Sequence, residues 1–128
     1  MTDGAAGRPP LALILANADP TRLRAALVLA RCEIALGGGA RLFLQGEAVT
    51  LLRAPIVAPR DEAWHAAGEP PLAVLITEAL EDGVLLSACQ SGLAMAGMTA
   101  TDLPPGVVPS GPIAFLAAVR AETRLLMA

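Results

Sequence analysis

Apolar residues along this chain fall into two patterns. Some form short unbroken aliphatic runs, and others recur every three or four positions. Residues 11–16, Leu-Ala-Leu-Ile-Leu-Ala, make the first run, as a strand covered on both faces would. Asn17-Ala18-Asp19-Pro20 then reads as a helix start, with Asp19 as N-cap and Pro20 in the first helical position. Leu23, Leu27, Ala30 and Ile34 carry an apolar stripe at helical spacing, which leaves Arg22, Arg24, Arg31 and Glu33 for water. Gly37-Gly38-Gly39 stops this helix, and residues 41–45 form a second strand.

Residues 47–52 make a short helical turn. Residues 53–71 hold Pro55, Pro59, Pro70 and Pro71 together with the only Trp and His, and read as a long loop of the kind that often serves as a lid. Leu72, Leu75, Ile76, Ala79 and Leu80 form the cleanest amphipathic pattern in the chain, ended by Gly83. Residues 84–88 are the third strand and lead directly into Cys89. Ser91 to Gly97 reads as a short helix closed by glycine, and Thr99 with Asp102 has capping-box spacing. A turn at Pro104-Pro105-Gly106, a short strand at 107–108, a helix from Gly111-Pro112 to about Arg120 and a last strand at 123–127 complete the reading.

Strands that alternate with helices predict a three-layer α/β/α fold on a mostly parallel sheet of about five strands, flavodoxin-like in outline. It occupies residues 11–128 as a single domain, after a flexible N-terminus of residues 1–10. In such sheets ligands gather outside the carboxyl ends of the strands. That edge is expected to carry Asn17, Asp19, Gln45, Glu47 and Cys89, with Gln90 and Ser91 beside the cysteine.

Composition narrows the function. The 128 residues are 55% hydrophobic, 16% charged and 2% aromatic, and all nine basic residues are arginine. So many aliphatics exceed what a small monomer hides, which points to a homo-oligomer. A net charge of −3, with arginines scattered singly and almost no aromatic platforms, argues against nucleic acid as a partner. The uncharged stretch from Gly83 to Thr101 is diluted by Ser87, Gln90, Ser91, Gly92, Gly97 and Thr99, so no membrane span is expected. The first ten residues lack the pattern of a signal peptide, and a cytoplasmic protein with free thiols is expected.

Cys89 is the leading candidate for chemistry. It follows a strand and precedes a helix, where unpaired N–H groups and the helix dipole favour a thiolate. Helix N-termini lower a cysteine pKa from about 8.5 into a range of roughly 3.5–7.5. A small buried hydrophobe ending a strand fits the same position equally well. Cys32 lies mid-helix and reads as packing. Its place roughly 18 Å along the axis puts a bridge to Cys89 out of reach, since bridged α-carbons lie within about 7 Å. His65, in the proline-bracketed loop, is a candidate base or proton donor over the pocket. Asp19 has a sufficient job as a cap, and Gln45 and Glu47 close a strand. No Cys/His spacing suits a metal. The glycine-free 17–21 loop and the placement of Gly37–Gly39 before a strand argue against a nucleotide, so no cofactor is expected. Cys-Gln-Ser-Gly is likewise no hydrolase elbow.

The stretch Ala88-Cys89-Gln90-Ser91-Gly92-Leu93-Ala94-Met95-Ala96-Gly97-Met98-Thr99-Ala100-Thr101-Asp102-Leu103 resembles the DsrE/DsrF-like family, which includes the TusD-type sulfur-relay subunits. The likeness continues through Pro105-Gly106-Val107-Val108-Pro109-Ser110-Gly111 into a helix beginning Ile113-Ala114-Phe115-Leu116. It spans nearly all of residues 11–127 and is weakest over 53–71. The resemblance implies a parallel α/β/α fold, assembly into trimers or hexamers, and a cysteine that carries sulfur as a persulfide. Cys89 alone falls on the family's cysteine position.

The expected function is an intracellular sulfur carrier or sulfurtransferase-like subunit, in which Cys89 takes sulfane sulfur from a donor protein and passes it to an acceptor. The rival expectations are a non-catalytic oligomeric scaffold and a small-ligand-binding protein of the same fold.

Overall fold

The computed structural model describes residues 7–128. Five strands, β1 (Leu11–Leu15), β2 (Ala40–Leu44), β3 (Leu85–Cys89), β4 (Val108–Ser110) and β5 (Arg124–Met127), form one sheet in the order β4-β3-β2-β1-β5. Every pairing is parallel, with Leu13 opposite both Leu42 and Leu126. Leu42 in turn lies opposite Leu86, and Ser87 opposite Val108. Parallel neighbours need crossovers, and helices supply them. α1 (Pro20–Ala35) joins β1 to β2, while α2 (Asp61–Ala66) and α3 (Leu72–Asp82) lie between β2 and β3. α4 (Gln90–Ala96) follows β3, and α5 (Pro112–Ala117) precedes β5.

Right-handed crossovers fix the layers. The three connections that step from β1 to β4 move in one direction and put their helices on one face. The return from β4 to β5 lays α5 on the other, where Phe115 stacks on Phe43 with ring centroids 5.1 Å apart. The result is the three-layer α/β/α arrangement that the alternation predicts. Leu13, Leu15, Leu42, Leu44 and Leu86 are fully buried, as are Leu23, Leu27 and Ala30 of α1. Each such leucine contributes roughly 1.5–3 kcal/mol of burial. Because α5 has only six residues, its face is thinly covered. The register that puts Phe43 there also puts Leu85, Val108, Leu125 and Met127 there, all of them exposed.

Local signals are realised closely. The Asp19 carboxylate accepts from the N–H of Thr21 (2.9 Å) and Arg22 (3.3 Å), with Pro20 behind it. Its loss would cost about 1 kcal/mol. Gly37 and Gly83 take left-handed φ of 92° and 102° just past the ends of α1 and α3. Thr99 and Asp102 form the capping box. Boundaries shift by a few residues: β2 stops before Gln45, β3 includes Cys89, β4 begins at Val108, and α5 ends at Ala117.

Three expectations are corrected. Arg24 and Glu33 do not face water; they are 6% and 4% exposed. Arg24 donates to the Pro70 carbonyl (2.5 Å) and lies 4.5 Å over the Trp64 ring, so it pins the 53–71 segment to α1. That segment is not all loop. It contains α2, whose Asp61 carboxylate accepts from Ala58 N (2.9 Å) and Leu72 N (3.0 Å) and so ties the segment's middle to the start of α3. Cys32 is exposed, because it lies on a part of α1 that neither the sheet nor α3 covers. Arg31 is half-buried against Glu78 (2.9 Å) and Asp82 (2.6 Å), and Arg22 is exposed as expected. Of the N-terminal segment expected to be flexible, residues 1–6 lie outside the described residues; Arg8 is bound to Glu33. Among the described residues no helix is long and apolar enough to cross a membrane.

Glu33 sits between Arg8 (2.6 Å) and Arg124 (2.7 Å). Gly38 makes room for it, since a Cβ there would strike the Glu33 carboxylate. The Arg8 hydrogen bond, opposed by burial and reinforced by Arg124, lowers the carboxyl from 4.5 to about 2. A folded value below the unfolded one means that this stabilisation is complete above about pH 4.5 and fades as pH falls toward 2. Glu33→Gln should therefore be less stable than the parent at neutral pH, with the gap closing in acid. Urea unfolding of both proteins across that range measures this, and a pH-independent gap would refute it.

Candidate functional site

All five strands run the same way, so their carboxyl ends share one edge, and β2 and β3 are neighbours on it. The turn that leaves β2 therefore meets the turn that leaves β3. The first is a 3₁₀ segment, Gly46–Leu52; the second is the start of α4. Gly46 has a left-handed φ of 59°. Its backbone lies so close to Gly92 in α4 that a Cβ on Gly92 would collide with the Gly46 carbonyl. Both positions need glycine, one for its φ and one for its missing Cβ. Arg53 steadies the far end of α4 by donating to the Ala96 carbonyl (2.6 Å), where the helix dipole favours a cation.

Cys89 lies in the angle between these two turns. It is the last residue of β3 and the N-cap of α4, in extended conformation at φ −61° and ψ 122°. Two opposed influences act on its thiol. Burial, the largest single one, pushes its pKa up. Backbone N–H groups of Gly46, Gly92 and Ser91, joined by the Ser91 hydroxyl, pull it down, and together they prevail. The net direction is toward thiolate. The donors come from both turns, so the anion is held by two elements at once.

The residue itself is only 4% exposed. Beside it lies a cavity of about 400 Å³ lined by Gly46, Glu47, Thr50, Ser91, Gly92, Met95 and Ala96. Cys89 is not part of this lining. The three residues whose backbone donors reach its sulfur are, so sulfur and cavity share a wall. Met95, 90% exposed, gives the mouth an apolar rim. What the arrangement offers is a soft nucleophile, anion-stabilising donors and a mostly apolar space beside it.

Of the residues singled out from the sequence, Glu47 and Ser91 line this cavity. Gln90 is exposed at the start of α4. Gln45 is exposed and precedes the 3₁₀ segment without a side-chain cap, its backbone N–H bonding Leu15 O (2.9 Å). Asn17 is exposed after β1, and Asp19 is occupied as the α1 cap. His65 is exposed in the last turn of α2 and is not among the lining residues. Sequence reasoning missed Gly46 and Gly92. A glycine within three residues of each of two strand-end signals, Gln45-Gly46-Glu47 and Cys89-Gln90-Ser91-Gly92, was the available clue, because a close backbone approach demands glycine.

A model of the DsrE/DsrF-like family matches residues 11–127. No curated protein matches the chain. Among solved structures, the protein of unknown function MTH1491 from Methanobacterium thermoautotrophicum superposes with a TM-score of 0.66 at 18% identity, over 94% of this chain and all of that one. The ychN protein from E. coli gives 0.68 at 17% identity with the same coverages. At such identities these two structures speak to the fold alone, and they agree with the layers described above.

Gly92→Ala tests the geometry directly. The added methyl must push α4 away from Gly46, an overpacking change that costs about 1–3 kcal/mol, and must weaken the donors on the sulfur. Its Cys89 should alkylate with a higher apparent pKa than the parent's when iodoacetamide rates are followed against pH. An unchanged profile would contradict the assigned donors.

Proposed function

This chain belongs to the DsrE/DsrF-like family, and on that premise we propose that it is an intracellular sulfur carrier working through Cys89. The observation that supports this most is the convergence of Gly46, Ser91 and Gly92 donors on one sulfur beside a cavity. The Cys89 thiolate attacks the outer sulfur of a donor's persulfide. A new sulfur–sulfur bond forms on Cys89 as the donor's bond breaks, and the donor leaves as a thiolate. The same exchange with an acceptor thiolate returns Cys89 to its starting state. Electrons balance at each step, so no cofactor is required. The backbone donors stabilise the attacking thiolate, and the Ser91 hydroxyl is its side-chain donor. Glu47 at the cavity wall disfavours small anions there, which suits delivery by a docked protein over a dissolved one.

Assembly is part of the proposal. Leu85, Val108, Leu125 and Met127 of the sheet, with Ile113 and Leu116 of α5, leave an apolar face that a second copy of the chain would cover in a trimer or hexamer. The same face supports a second reading, an oligomeric scaffold in which Cys89 only packs, since that residue is 4% exposed.

Mass spectrometry after incubation with a sulfane-sulfur donor separates the two readings. Because Cys32 is exposed and would also react, the comparison belongs in a Cys32→Ser background. There the protein should gain the mass of sulfur on Cys89 and lose it to a reducing thiol, and Cys89→Ser should gain none. An unlabelled protein with an inert Cys89 would leave the scaffold reading. Sedimentation should find a species larger than the monomer, shifted toward monomer by Leu116→Asp with Ile113→Asp; a monomeric parent would refute the assembly.

A further inference from the structure

Two charged side chains are buried among the described residues, Arg24 and Glu33. Glu33 is matched by two arginines. Arg24 is matched by no carboxylate within ion-pair distance among those residues. A guanidinium has five N–H donors in one plane. Here one hydrogen bond, to the Pro70 carbonyl, and the Trp64 ring stacked against it account for its contacts. Burying a cation without a counter-charge is costly, so a group in this state is either a strained anchor or half of a binding site.

The surroundings favour the second. Arg24 lines a cavity of about 250 Å³ together with Thr21, Arg60, Asp61 and Trp64. Asp61 forms no ion pair with it, its two oxygens accepting the Ala58 and Leu72 N–H groups, and its single charge leaves the two arginines one positive charge in excess. Two arginines and Thr21 therefore line one small space with a single carboxylate. None of these residues lines the cavity beside Cys89. We propose that this cavity binds a small oxyanion-bearing metabolite, with its carboxylate or phosphate group taken by Arg24 and steadied by Arg60. The planar fork of Arg24 suits two-point capture of either group. The volume falls below the roughly 300–1,000 Å³ of drug-sized pockets, which restricts the ligand to a few heavy atoms beyond that group.

The protein carries its own reporter, since Trp64 is the only tryptophan and touches Arg24. The full chain is titrated with inorganic phosphate and, separately, succinate, against sodium chloride of equal ionic strength, while its fluorescence is recorded. A saturable change with either anion and none with chloride is expected; the anion that works identifies which oxyanion the site prefers. Arg24→Gln should weaken it at least about tenfold, the loss of a charge-assisted pair. Arg60→Gln, at an exposed position, should leave the thermal transition unchanged and weaken the response several-fold, and it carries the test if Arg24→Gln does not fold. No saturable response to either anion in the parent, or a response undiminished in the variants that fold, would overturn the proposal. Neither result depends on the chemistry of Cys89.

Discussion

The contact between Gly46 and Gly92 is the constraint on which the cysteine's surroundings rest. Two turns leaving adjacent parallel strands can meet only if their backbones come together without side chains between them. Once they do, the N–H of a residue after β2 reaches a sulfur at the end of β3, and the N–H groups of α4 reach it from the other side. Neither turn alone provides this. α4 has seven residues, and a helix that short contributes a limited dipole. The second turn makes up the difference, with donors that are fixed before any ligand arrives.

Burial and ionisation oppose each other at Cys89, and the outcome depends on count and direction of donors. A sulfur sealed in aliphatic packing would be held as a thiol. Here Cys89 belongs to the buried aliphatic core, while its donors come from the two turns. The low exposure that pushes the pKa up would, in the sulfur carrier proposed above, also keep bulk water from a persulfide. Access then belongs to the cavity, with the exposed Met95 at its rim.

Much of the fold was legible because its signals are local. Asp19-Pro20, Gly37, Gly83, Gly97 and the Thr99–Asp102 box each act within a few residues, and each lies where the sequence placed it. Family likeness was legible in the stretch from Ala88 to Leu103, and the match over residues 11–127 agrees with it. What escaped was non-local. Glu33 is buried because Arg8 and Arg124, at opposite ends of the chain, converge on it; Arg24 because Pro70 and Trp64 fold over it. On a helical wheel the two fall at opposite margins of the apolar stripe, each about 90° from its centre. The α2 helix was hidden by its proline-rich flanks, and Gly46 and Gly92 by being ordinary turn glycines until the two turns are seen together. Apolar periodicity says which face is buried, and it is silent about a polar side chain whose partners come from elsewhere.

The pairing of β5 with β1 has a consequence for how this molecule is made. The last strand hydrogen-bonds the first, with Arg124 N on Pro10 O (2.9 Å) and Ala128 N on Ile14 O (2.8 Å). A ribosome extends a chain by about 5–20 residues per second, so β1 emerges several seconds before its outer neighbour exists. Throughout that interval an aliphatic strand presents an unpaired edge, the kind of template on which nascent chains cross-pair. Vectorial synthesis thus leaves the Leu11–Leu15 edge for last, and the Glu33 carboxylate, waiting on α1 for Arg124, is the latch that closes it.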